Sequence, residues 1–392
     1  MSTYSEAVLA GLIALGTTAA LTPPTAAFAR LVGAVDRPSE RGLGAGGIPR
    51  LGGLAMLAGV LVASLLALAP FSAEMSAVVQ AAIVITCVGA LDDRFDLVPG
   101  VKLLGQIAAA VIAVRGGIVV DNITIPLGIG AVNFGWGAAP LTVFGLVAVM
   151  NIVNFSDGID GLAAGITAIA AIAFTVVAFD LGRVEGATLS AITAGAALGF
   201  LAFNFHPASV YMGDAGANLL GLLLGCAAVM GAVKTQAVFA LGFPFLILAV
   251  PVLDTAFVVL KRLKYHQPVY SADREHFHHR LDRVGFSTRR AVLVLYAWTA
   301  VLAMLAVAAR FLDVVDSEGK LLSPDAWILG ILLALTLAAS IAVIYVLEIL
   351  KFERGGRFLR VRVGGPAPQP RGPDTPPRST SAAEPPAPPA DR

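Results

Sequence analysis

The stretch Asn151-Ile-Val-Asn154-Phe-Ser-Asp157-Gly-Ile-Asp160-Gly161 sets two amides and two carboxylates between two runs of almost wholly apolar residues. An acidic connection this short between two apolar spans is costly, so it has a task, and Gly158 and Gly161 let the backbone turn sharply and a ligand approach closely. If the end of the first run is helical, the three-residue spacing aligns Asn151, Asn154, Asp157 and Asp160 along one side. A capping turn, with Asp160 as N-cap, accounts for one such residue and not for four.

Further polar clusters interrupt the apolar sequence. Asp92-Asp93-Arg94-Phe95-Asp96 places three carboxylates at the expected C-terminus of a helix. There they oppose the helix dipole and repel one another, an arrangement that a cation relieves. Lys102 and Gln106 share a helix face just beyond, with Lys102 placed to meet a phosphate. In Asn204-Phe-His206-Pro207 through Met212-Gly213-Asp214-Ala-Gly216, Asp214 reads as an N-cap or a metal ligand, and Asn204 and His206 are left without a capping role. Asp254 sits within an apolar run, where a carboxylate needs a partner. His276, His278, His279 and Arg280 are closely spaced without zinc-site spacing, and fit a phosphate or sugar contact.

These clusters need elements to hold them, and the composition says which. The chain has 392 residues, 57% hydrophobic and 14% charged. This balance excludes an ordinary soluble globular protein and indicates a polytopic, all-α membrane protein. A helix crosses the bilayer core with roughly 20 apolar residues. About eleven spans are expected, near 7–30, 51–69, 76–91, 101–120, 139–154, 160–179, 187–204, 215–233, 236–261, 290–310 and 325–350. Alternate connections then hold most of the 27 Lys and Arg, leaving Arg115, Arg183, Lys234, Arg310 and Lys320 on the other side. The positive-inside rule places the N-terminus outside and the C-terminus in the cytoplasm.

The polar clusters fall in the cytoplasmic set, in loops 31–50, 91–102, 151–161, 204–216 and 262–289. A one-sided cluster suits an enzyme at the cytoplasmic interface better than a transporter, whose polar groups sit at mid-membrane depth. The outer connection 121–136 alternates Val, Ile and Thr between glycines and is expected to form a small external β-hairpin. Residues 1–350 form the membrane domain. Residues 351–363 are a basic juxtamembrane segment, and 364–392, rich in Pro and Ala, a disordered tail. With a net charge of +1 nothing draws the chain to nucleic acid. Cys87 and Cys226 lie in apolar runs and read as small hydrophobes.

Taken in order, Asp92-Asp93-x-x-Asp96, Asn151-x-x-Asn154-x-x-Asp157-Gly-x-Asp160-Gly, the Asn204 to Gly216 motif, Asp254-Thr255 and His276-x-His278-His279-Arg280 resemble the polyprenyl-phosphate N-acetylhexosamine-1-phosphate transferases, the superfamily shared with phospho-N-acetylmuramoyl-pentapeptide transferase. The resemblance covers residues 36 to 285. It implies transfer of a sugar 1-phosphate from a UDP-N-acetylamino sugar to a membrane polyprenyl phosphate (undecaprenyl or decaprenyl), releasing UMP. It also implies Mg²⁺, with Mn²⁺ as an alternative, and a homodimer in a bacterial plasma membrane. By position it makes Asp92, Asp93, Asp157 and Lys102 catalytic. Asp214, Asn154 and Asp93 become the metal site. Asn151, Asn154, Asp160, Asn204, Arg50, His276, His278, His279 and Arg280 become substrate-binding.

Phe277 interrupts the three consecutive histidines typical of the pentapeptide branch, which favours N-acetylglucosamine as the sugar. Gly42 and Gly44 stand where the family usually carries a Lys and a His, and Ala217 where it usually carries a Ser. Another UDP-N-acetylhexosamine or the muramoyl-pentapeptide donor is the alternative within the superfamily. A prenyltransferase or a transporter is the alternative outside it.

Overall fold

The computed structural model describes residues 2–36, 47–125, 130–232, 287–312 and 324–349. All belong to one unit, Met1–Lys351. The described residues form ten helices: α1 (Ser2–Val32), α2 (Gly52–Ala67), α3 (Ala73–Phe95), α4 (Pro99–Arg115), α5 (Ala138–Ser156), α6 (Leu162–Asp180), α7 (Val184–Asn204), α8 (Gly213–Ala232), α9 (Thr288–Phe311) and α10 (Pro324–Ile349). They coincide with ten of the eleven expected spans. The span expected near 236–261, with Asp254, lies outside the described residues, as do loop 37–46, residues 233–286 with His276, His278, His279 and Arg280, and residues 350–392.

Seven of the helices are long and apolar enough to cross a bilayer, while α2 and the apolar part of α10 are shorter. The protein is therefore a polytopic helical membrane protein. Leu104 on α4, Phe144 on α5 and Leu12 on α1 face outward, as a lipid-covered surface requires. Leu219, Leu220, Leu222 and Leu223 of α8 are buried, and α8 packs against α3, α5, α6 and α7, making it the central helix.

Helix ends follow from local chemistry. Ser72 accepts the Met75 N–H (3.0 Å) and starts α3, and Pro99 opens α4, where its missing N–H costs nothing. A side chain on Gly195 of α7 would strike the Gly11 carbonyl of α1, so the close packing of these helices depends on that glycine.

Two short sheets complete the described chain. β1 (Val35–Asp36) pairs antiparallel with β2 (Ile48–Pro49), with Ile48 opposite Asp36 and the Arg50 N–H donating to the Ala34 carbonyl (3.1 Å). β3 (Asn122–Ile125) pairs antiparallel with β4 (Gly130–Asn133), within the segment where a hairpin is expected.

Candidate active site

Five chain segments converge on one cavity of about 330 Å³: β1 with β2, the end of α3, the α5–α6 turn, the end of α7, and the loop into α8. Its lining includes Asp36, Arg50, Asp93, Asn154, Asp157, Asp160, Asn204, Tyr211, Gly213 and Asp214.

Asp92 and Asp93 are neighbours on α3 with different tasks. Asp92 is 5% exposed, accepts the Leu97 N–H (2.8 Å) and pairs with Lys102 (2.5 Å). Lys102 also reaches Asp214 (3.1 Å), so the chain supplies part of the cation that the acidic run was expected to need. Asp93 lines the cavity and accepts the backbone N–H groups of Asp214 (2.8 Å) and Ala215 (3.1 Å). The N-terminus of α8 is thus capped from another helix, and Asp214, expected as a possible N-cap, sits inside the first turn with its side chain in the cavity. Gly213, at φ +67, leaves no room for a side chain: a Cβ there would meet the Asp93 carboxylate and the Arg50 carbonyl.

The Asn151 to Gly161 stretch does not continue as one helical face. α5 ends at Ser156 and Asp157 is its C-cap. Asn154 and Asp157 line the cavity. Asn151 is not among the lining residues: it donates to Gln106 (2.9 Å), which donates to Asn218 of α8 (2.7 Å). Asp160 does not cap α6 either. Gly161, at φ +83, occupies that position, a left-handed conformation that a β-carbon disfavours. The Asp160 carboxylate instead crosses to the α7–α8 loop, where Oδ2 meets His206 Nδ1 (2.7 Å) and accepts the Ala208 N–H (3.0 Å). Asn204, 1% exposed, accepts the Gly161 N–H (3.0 Å) and donates to the Val210 carbonyl (3.0 Å), tying the two loops together.

Asp36, which opens the first polar connection of the sequence, lines the cavity with Arg50. Tyr211 lines it without having stood out, because a lone tyrosine next to Met212-Gly213-Asp214 carries no signal. Among the described residues Tyr211 is the single aromatic ring in the lining. Burial, then the nearby carboxylates Asp160, Asp36 and Asp157, raise its pKa.

The cavity's electrostatics are dominated by carboxylates. Burial pushes the Asp157 pKa well above the usual range, and the charges of Asp214 and Asp93 push it further, with Arg50 opposing. Among the described residues no three His, Cys, Asp or Glu side chains form a closed metal cage. Oxygen donors converging on a cavity with one or two carboxylates free for a cation match Mg²⁺, which keeps waters and substrate phosphates in its shell.

The model of glycosyl transferase family 4 matches residues 75–232, the span from α3 through α8. A Bacillus subtilis protein described as a probable undecaprenyl-phosphate N-acetylglucosaminyl 1-phosphate transferase is 37% identical over 74% of this chain and 81% of its own length. The decaprenyl-phosphate N-acetylglucosaminephosphotransferase of Mycolicibacterium smegmatis is 38% identical over 79% of this chain and 83% of its own. The phospho-N-acetylmuramoyl-pentapeptide-transferase of Halalkalibacterium halodurans is 33% identical over 67% and 83%. With relatives this similar along most of their length, the chain belongs to glycosyl transferase family 4.

Proposed function

We propose that this protein transfers N-acetylglucosamine 1-phosphate from UDP-N-acetylglucosamine to a polyprenyl phosphate, giving a lipid-linked sugar diphosphate and UMP. The observation that carries this reading is the cavity itself. Asp93, Asp157 and Asp214 meet Arg50 and Lys102 at the ends of membrane helices, where a lipid phosphate and a soluble nucleotide can meet.

An oxygen of the lipid phosphate attacks the β-phosphorus of the nucleotide sugar. The bond from that phosphorus to the bridging oxygen breaks, and UMP leaves with the bond's electron pair. Such transfer between anions depends on in-line positioning and charge neutralisation. Asp214, with Asn154 and Asp93 beside it, is the set that would hold Mg²⁺, which when bound neutralises phosphate charge and polarises the phosphorus. Arg50 contributes positive charge to the lining, and Lys102 steadies Asp214. Asp160 and Tyr211 form the part of the cavity suited to a nucleobase, one with an acceptor for an N–H and the other with a ring to stack on. We assign the cavity to the cytoplasmic side, in agreement with the Lys and Arg distribution.

The sugar assignment rests on relatives at 37–38% identity that carry N-acetylglucosamine in their names, against 33% for the pentapeptide transferase. The test is UMP release by purified protein with polyprenyl phosphate and Mg²⁺, comparing UDP-N-acetylglucosamine, UDP-N-acetylgalactosamine and UDP-N-acetylmuramoyl-pentapeptide. Release with the first donor alone is expected. Release only with the third would move the protein to the pentapeptide branch, and release with none would overturn the reaction.

A further inference from the structure

His206 belongs to none of the roles assigned so far, yet it is held from two sides. Its Nδ1 meets Asp160 Oδ2 at 2.7 Å, and its carbonyl accepts from Arg289 Nε of α9 at 2.9 Å. A second tether lies next to it, where Tyr296 of α9 donates to the Gly161 carbonyl (2.5 Å). His206 is not among the residues lining the cavity, while Asp160 is. The imidazole therefore reaches the cavity through Asp160.

Both protein contacts to the Asp160 carboxylate, from His206 and from the Ala208 N–H, fall on the same oxygen, Oδ2. The second oxygen, Oδ1, has no protein partner among the described residues, and the side chain is only 18% exposed. Two donors on one oxygen fix the rotation of a carboxylate that a single contact leaves free. A carboxylate offers acceptors only, so a fixed Oδ1 favours a ligand edge that presents an N–H and disfavours one that presents a lone pair. With Asp160 ionised, the contact requires the proton on Nδ1, and the imidazole then acts as a donor.

The geometry points to His206 as a positioning residue that orients Asp160 to read the N–H edge of the nucleobase, so that it sets base specificity without touching the nucleotide. This rests on the proposed nucleotide reading of the cavity and adds a residue and a chemical criterion to it. Uracil presents an N–H at N3, where cytosine presents an acceptor. The site so arranged selects uridine over cytidine nucleotides.

The experiment measures binding of UMP and CMP to the purified full-length protein in detergent with Mg²⁺, together with kcat and KM for UDP-N-acetylglucosamine. His206→Ala removes the donor. His206→Asn keeps an N–H on Cγ, where Nδ1 stands. Loss of one charge-assisted hydrogen bond predicts UMP affinity about tenfold weaker in His206→Ala, with a smaller change for CMP. KM should follow affinity, and kcat should change by less than about threefold. His206→Asn should recover most of the UMP over CMP preference.

A His206→Ala protein with wild-type preference between UMP and CMP overturns the proposal. So does an Asn variant as indiscriminate as the Ala variant. If His206→Ala does not fold, the UMP/CMP ratio of His206→Asn decides alone, near wild type in support and near unity against. Asp160→Asn separates this inference from the reading beneath it. If Asp160→Asn leaves UMP affinity unchanged, the nucleobase assignment of the cavity fails; if it weakens UMP binding while His206 variants do not, only the role of His206 fails.

Discussion

Asp93 near the end of α3 accepts the backbone N–H of Asp214 in the first turn of α8 at 2.8 Å, and its other oxygen accepts that of Ala215 at 3.1 Å. One carboxylate therefore both lines the cavity and fixes the helix that presents Asp214. Asp93→Asn keeps one acceptor oxygen and loses the charge. It should leave a folded membrane protein while lowering UMP release by about a hundredfold or more, as removal of a preorganised electrostatic partner does. Asp93→Ala should additionally lower thermal stability, by about 1 kcal/mol for the lost cap. Near-normal turnover in Asp93→Asn would show that the site is not built around this group.

Lys102 bridges Asp92 at 2.5 Å and Asp214 at 3.1 Å. The Lys102 side chain is 37% exposed and Asp92 only 6%, so removing the cation strands the carboxylate more than the reverse. Solvent reaching Lys102 reduces the expected cost of Lys102→Met to about 1–2 kcal/mol, below that of a fully buried pair. Adding Asp92→Asn should return the melting temperature toward wild type without restoring UMP release, because Asp214 still lacks its neighbour. A double variant as unstable as the single one would mean that Asp92 does not depend on this pair.

Gly213→Ala should fail twice. Its φ of +67 is unfavourable for alanine, and the new methyl would displace the Asp93 carboxylate and the Arg50 carbonyl. Loss of both stability and UMP release is expected. Gly145→Ala on α5 is the control, since nothing lies within 4 Å of a Cβ there. It should be neutral or stabilising by up to about 1 kcal/mol. Equal effects at the two glycines would contradict the close approach around Gly213.

The types of residue in the cavity were legible in the sequence, because a carboxylate or amide between apolar runs is conspicuous. Their orientations were not. Asp92 and Asp93 are adjacent and alike, and only the arrival of α8 and α4 sends one to the Asp214 N–H and the other to Lys102. The even spacing of Asn151 to Asp160 suggested one face, but the helix stops at Ser156 and a turn with Gly161 at φ +83 redirects Asp160 toward His206. Tyr211 has no spacing signal at all. It reaches the cavity because its N–H bonds the Pro49 carbonyl (2.8 Å) and its carbonyl accepts from Gly52 (3.1 Å), pairings between segments far apart in the chain. The helices fared better, because length and continuous hydrophobicity are local properties.

Chelation should stop UMP release, and added Mg²⁺ should restore it. If Asp214 is the principal ligand, Asp214→Asn should weaken Mg²⁺ binding when this is followed directly, as the cation-dependent rise in melting temperature. Undiminished stabilisation by Mg²⁺ in Asp214→Asn would place the ion elsewhere.

Asp157 gives the last prediction its sign. Burial and the charges of Asp214 and Asp93 raise its folded-state pKa well above 3.8, the unfolded value. Above that unfolded pKa the unfolded chain gives up a proton that the folded protein retains. The stability linked to Asp157 is therefore fully present below pH 3.8 and is lost as pH rises through the folded pKa. In chelator, the melting temperature of the wild type should fall more steeply between mildly acidic and mildly alkaline pH than that of Asp157→Asn, which carries no ionisable group there. The variant should be the more stable protein at alkaline pH and inactive throughout, the trade expected when a site holds charge at a thermodynamic cost. Mg²⁺ favours the ionised carboxylates and should narrow the difference. Parallel pH profiles for the two proteins in chelator would show that Asp157 ionises in the folded state as freely as in water.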